Sequence, residues 1–138
     1  MKNIGDNVKP VASLVPAVRT ANANGGVIDT MGYDNLEVVV SAGDIDLADT
    51  DETYAVKLQE GAASNGSDAA DISGASVAIT ADNQLKTIRV NGLGVGSRKR
   101  YMRAVLTVGG TTPSIPCAVL FNLGRAHSNP ANTPDASV

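Results

Sequence analysis

Four cations crowd the stretch SRKRYMR, where Arg98, Lys99, Arg100 and Arg103 fall within six residues of a chain whose net charge is −3. Such a cluster can grip phosphates, a membrane surface or acidic side chains. Recognition of a nucleic-acid strand usually interleaves its cations with stacking aromatics. Here Tyr101 is the lone aromatic among them. The overall negative charge gives no general pull toward polyanions or anionic lipid, so neither nucleic acid nor membrane is expected as a partner. The cluster is therefore read as a local patch for carboxylates of another protein or of a sister subunit.

The opposite charge gathers in GDIDLADTDE, with Asp44, Asp46, Asp49, Asp51 and Glu52. Calcium is the cation such a run would suit. The calcium loop of an EF-hand needs acids at its first, third and fifth positions and a glycine at the sixth. The third acid comes one residue late here and no glycine follows, so the run reads as a solvated loop or a charge-complementary contact and no metal is expected. His127, the only histidine, stands in a Pro/Asn-rich tail and suits no nucleophilic relay, which needs a rigidly held base. With a single cysteine, Cys117, zinc of the usual thiolate or imidazole kind has too few ligands and no internal disulfide is possible. NGLGVGS lacks the lysine of a phosphate loop and leads into a strand, not a helix, so it reads as a turn. Carboxylate pairs for glycoside cleavage lack the expected aromatic platforms. No enzyme and no cofactor is expected.

The elements that must carry these groups are strands. LEVVVSAG places Leu36, Val38 and Val40 on one face, and TYAVKLQEG sets Val56 and Leu58 against Lys57 and Gln59. LKTIRVNG turns Ile88 and Val90 inward, and RYMRAVLTVGG does the same with Met102, Ala104, Leu106 and Val108. SIPCAVLFNLG is apolar on both faces from Cys117 to Leu123, as in a central strand covered on both sides or continued into a subunit contact. VGGTTPSIP is a turn, and residues 61–76 are a polar surface loop with a short strand near SVAIT. Runs of this length separated by Gly, Ser, Asn and Asp predict an all-β sandwich. The ends differ. Residues 1–24 are expected as an N-terminal arm, 25–124 as the β-sandwich domain and 125–138 as a C-terminal tail. In the N-terminal arm, Val11, Leu14, Val15 and Val18 are apolar groups that a solvated tail does not need. The start of the chain has no run of signal-peptide length, and the lone cysteine fits assembly in a reducing cytoplasm.

VIDTMGYDNLEVVVSAG, YAVKLQEG running on to ADISGAS, RKRYMRAVLTV and LFNLGRAHSNP together resemble the jelly-roll capsid cement, or decoration, proteins of short-tailed bacteriophages. The resemblance spans about residues 25–130. It implies a jelly-roll-like β-sandwich with extended N- and C-terminal arms, which binds the assembled head and bridges neighbouring major capsid subunits. It also implies a place on the outer surface of the virion, after assembly in the host cytoplasm. Residues 98–103 and 123–127, the latter including Arg125, are its recurring positions, and it supplies no active-site residues.

Candidate contact residues follow from both lines of reasoning. They are the cations Arg98, Lys99, Arg100, Arg103 and Arg125; the acids Asp44, Asp46 and Asp49; Leu14, Val15 and Val18 of the arm as a capsid grip; and Ala118, Leu120 and Asn122 as a self-association face. The expected partners are the major capsid protein and a second copy, a dimer being favoured over a trimer. The alternatives are a head-tail or tail accessory protein and a carbohydrate-binding module, the latter depending on Tyr33, Tyr54 or Tyr101 as platforms.

Overall fold

The computed structural model describes residues 3–128, 131 and 135–136. One helical turn, α1 (Ile4–Asn7), precedes nine strands: β1 (Val8–Arg19), β2 (Ala23–Asn24), β3 (Ile28–Asp29), β4 (Tyr33–Ala42), β5 (Thr53–Gly61), β6 (Ala70–Ile79), β7 (Leu85–Asn91), β8 (Tyr101–Gly109) and β9 (Ile115–Ala126). Among the described residues no helix is long and apolar enough to cross a membrane.

The strands form two antiparallel sheets, ordered β1-β9-β4-β7 and β2-β8-β5-β6, with β3 also on β8. The short strands β2 and β3 both pair with β8, Ala23 with Leu106 and Ile28 with Met102, so they are halves of one interrupted strand. Counted that way, eight strands place the first, eighth, third and sixth in one sheet and the second, seventh, fourth and fifth in the other. This is the jelly-roll arrangement.

The period of two read from the sequence decides which side chains face the gap between the sheets. Leu36, Val38 and Val40 of β4 are buried, as are Val56 and Leu58 of β5, Ile88 and Val90 of β7, and Met102, Ala104 and Leu106 of β8. Val108 packs partly buried at the edge of this core. β9 lies between β1 and β4, with Cys117, Val119, Phe121 and Leu123 turned inward. Phe121, the only phenylalanine, is fully buried, and each such large side chain contributes about 1.5–3 kcal/mol. The outer side chains of β9 are not covered: Leu120 is 39% exposed.

The N-terminal arm is corrected by the structure. Residues 8–19 are not an extension but the edge strand β1, paired along β9 from Val8↔Gly124 to Arg19↔Ile115. Pro10 and Pro16 interrupt the alternation that marks a strand in the sequence, yet proline is tolerated on an edge strand. Register shifts between Ala12 and Leu14 and between Leu14 and Ala17 absorb the irregularity. At the first shift Ser13 crosses to the other sheet. Its hydroxyl donates to Gly26 O (2.9 Å) and accepts from Ala104 N–H (3.0 Å), while Gly25 N–H bonds Ala104 O (2.7 Å). A Cβ on Gly25 would collide with Ser13 Oγ and Ala104 O, so only glycine admits this approach.

Two smaller boundaries also move. β6 starts at Ala70, well before SVAIT, because its backbone pairs with β5 even where its side chains are too small to announce a strand. β9 continues through Ala126, past the expected domain end at 124. The tail's remaining positions 129, 130, 132–134, 137 and 138 lie outside the described residues, as do residues 1 and 2 of the expected arm.

Candidate interaction surfaces

β8 runs the length of the sandwich and separates two charged ends. Tyr101 begins it beside the cationic stretch, and Gly109 closes it beside the acidic loop, where Thr53↔Gly109 pairs the strands. Nine residues at about 3.4 Å each put the two ends roughly 27 Å apart.

At the cationic end, folding supplies partners the sequence did not reveal. The Arg100 guanidinium holds Asp29 through two bonds, Nε to Oδ1 (2.8 Å) and Nη2 to Oδ2 (2.7 Å), and lies 5.0 Å over the Tyr101 ring. Asp29 is opposite Tyr101 in the β3–β8 pair, which delivers it to Arg100 from 71 positions away. The hydrogen bond from Arg100 keeps the Asp29 carboxyl below its ordinary range. Arg98 Nη1 lies 3.5 Å from Glu60 Oε1, and Glu60 Oε2 accepts the Lys99 backbone N–H (3.0 Å). Arg103 donates to Gln59 Oε1 (2.9 Å), its register neighbour on β5. At the close of β9, Asp34 accepts from His127 (2.7 Å) and faces Arg125 (3.7 Å). His127 first, and the nearby charges of His127 and Arg125 after it, lower the Asp34 carboxyl. The patch that looked free in the sequence is thus substantially neutralised within the chain.

A cleft of about 450 Å³ opens beside it. Met31 and Tyr33 supply apolar lining, and the Arg98 and Arg100 guanidinium groups and the His127 ring supply polar lining. Met31 is 67% exposed. Sequence reasoning missed this site because its parts come from three separate segments.

The acidic end is built differently. Asp44 accepts from Asn83 (2.9 Å), Asp46 from Ala48 N–H (3.0 Å), Asp49 from Thr112 Oγ1 (3.1 Å), and Asp82 from Ile45 N–H (2.8 Å). Asp51 takes both the N–H and the hydroxyl of Thr111, which lower its carboxyl below the ordinary range. These partners are neutral. Among the described residues none of these carboxylates, nor Glu52, meets a Lys or Arg in an ion pair. Also among the described residues, no three His, Cys, Asp or Glu side chains form a group that could hold a metal ion.

Tyr54 fastens this end. Buried at 3% exposure, it donates from its hydroxyl to Asp46 O (2.7 Å) and accepts from Ser114 N–H (2.9 Å). It is a core residue rather than a carbohydrate platform. Beneath the loop Glu52 is buried, with Oε1 accepting Asp49 N–H (3.2 Å) and Oε2 lacking a partner. Gly110 (φ +103°) turns tightly against it; a Cβ there would lie 2.6 Å from Glu52 Cα.

A third surface is the outer face of the β1-β9-β4-β7 sheet. Leu120 sits opposite Ala12 on β1 and Val39 on β4, and Val39 in turn opposite Thr87 on β7. Val18 and Leu85 are each 66% exposed on the flanking strands, and Val15 of β1 is 59% exposed. Ala118 and Asn122 stand half-buried on either side of Leu120. Leu14 alone of the expected grip residues is unavailable, being in the core at 2% exposure.

These surfaces define an eight-stranded jelly-roll domain, counting the interrupted strand once, with two chemically different ends and one sheet face that exposes Val18, Leu85 and Leu120. Among solved structures the chain is similar to the PBSX exported protein XepA, at 17% identity and a TM-score of 0.58. The match takes in all of this chain and 42% of that one, so the chain spans less than half of XepA's length. It also matches the SPBc2 prophage-derived protein YomS, at 11% identity and a TM-score of 0.49, over 84% of this chain and 93% of that one. The XepA likeness is one of fold. No protein-family model and no curated protein sequence matches the chain.

Proposed function

We propose that the chain is a non-enzymatic capsid cement protein of a tailed bacteriophage, seated on the outer surface of the head and bridging neighbouring major capsid subunits. The observation that carries the reading is the outer face of the four-stranded sheet, where Val18, Leu85 and Leu120 are exposed on the same side as the Glu37–Arg89 ion pair. Exposed apolar groups gathered on one face mark a protein contact. The resemblance read in the sequence names the shell as that contact, and the jelly-roll fold agrees with it. Shallow contacts of this kind gain strength when many copies engage one shell.

Leu120→Glu tests it, because that side chain is outward and its loss leaves the core intact. Occupancy of the variant on purified heads should fall at least tenfold, and undiminished decoration would remove the proposal. Copy number separates cement from a head-tail accessory: hundreds per particle against roughly a dozen or fewer. The likeness to an exported protein favours a second reading, in which the chain acts outside the cell apart from the particle. Recovery of the protein in the particle-free supernatant, with none on heads, would establish that second reading.

A further inference from the structure

The acidic loop between β4 and β5 and the cleft at the other end of β8 have matching chemistry. Leu47 is 42% exposed between Asp46 and Asp49, so the loop presents an apolar side chain flanked by carboxylates. The cleft presents Met31 and Tyr33 together with Arg98, Arg100 and His127, whose in-chain partners Glu60, Asp29 and Asp34 stand behind them and outside its lining. Arg100 engages Asp29 through Nε and Nη2, leaving Nη1 without a partner among the described residues. His127 likewise engages Asp34 through Nε2 alone.

We propose that the loop at residues 43–52 of one copy docks into the Met31/Tyr33 cleft of the next, joining copies head to tail. The occupant is a second copy because the chain itself carries the complementary piece, placed where its own cleft cannot receive it. Leu47 enters between Met31 and Tyr33, while Asp46 and Asp49 meet the guanidinium N–H groups of Arg98 and Arg100 that their in-chain partners leave open. Among the described residues the acidic loop meets no Lys or Arg of its own, so this contact gives its carboxylates the guanidinium N–H donors they lack. A contact between two different patches is heterologous: each copy keeps one patch open, and growth continues until a ring closes or a filament forms. This inference is independent of the virion reading, since it concerns how copies meet and not what they decorate.

Sedimentation velocity and native mass spectrometry of the full chain, at low salt and rising concentration, test it. Wild type should assemble beyond a dimer, and 1 M NaCl should weaken the assembly tenfold or more. Leu47→Asp and Met31→Glu, both at exposed positions, should each be monomeric with unchanged circular dichroism. Mixed together they should form a one-to-one dimer and nothing larger, because each retains one working patch. A wild type that remains monomeric throughout, an assembly that stops at a dimer, or variants that assemble like wild type would overturn the proposal.

Discussion

The two ends of β8 carry opposite charges and opposite solutions to the problem of holding them. At the Tyr101 end, Arg98, Arg100 and Arg125 meet Glu60, Asp29 and Asp34. At the Gly109 end the carboxylates are held by amides and hydroxyls, which fix their positions without cancelling their charge. A conspicuous run of like charge is therefore a poor guide to free charge. The cations crowd together in sequence but face acids in space, whereas the acids remain the uncompensated field.

The largest expected effect lies at the acidic end. Tyr54→Phe strips Asp46 O and Ser114 N–H of their shared buried partner and should cost about 2 kcal/mol in urea denaturation. Tyr101→Phe, whose ring instead supports Arg100, should be close to neutral. Equal effects would erase the distinction between a stitched end and an ion-paired one.

Next is Glu52→Gln. It keeps an oxygen for Asp49 N–H while removing a buried negative charge among like charges, and it should raise stability by about 1 kcal/mol. A loss instead would mean that the buried carboxylate has a cationic partner, and the acidic end would no longer count as uncompensated.

The smallest effect belongs to Arg100→Ala, which should lower stability only slightly near neutral pH in urea denaturation, because both members of the pair are roughly half exposed. Its pH dependence is the sharper readout. Asp29 is lowered in the folded protein chiefly by the Arg100 hydrogen bond, so the pair stabilises above the ordinary aspartate value of about 3.9 and loses that contribution as pH falls through the folded value. The difference between wild type and variant should thus vanish under acid, and Asp29 should titrate closer to its ordinary value by NMR. A difference that persists at low pH would show that Arg100 acts through packing on Tyr101 rather than through charge.

Most of the core was legible because a half-buried strand must alternate, as Leu36/Val38/Val40 and Val56/Leu58 do; in β8 Met102, Ala104 and Leu106 keep the period although Val105 between them is buried too. β1 was not legible. Its prolines and irregular register broke the alternation, and only the partner strand β9 shows why an edge position accepts them. β6 was legible only in part, since small side chains on a backbone-paired edge leave little periodic signal. Of the candidate contact residues, Leu120, Val15 and Val18 stand exposed, while Leu14, one residue before Val15, is turned into the core by the shift beside it.

The sequence by itself determined the fold class and which face of each regular strand is buried, because alternation and turn chemistry are local properties of the chain. It also determined that the cations and the acids form two separate groups. Only the tertiary structure decided which group is neutralised. Asp29 reaches Arg100 across 71 positions and Glu60 reaches Arg98 from β5, through strand pairings that no local pattern encodes. Charge compensation acts over a few ångströms of space, and distance along the chain does not report it.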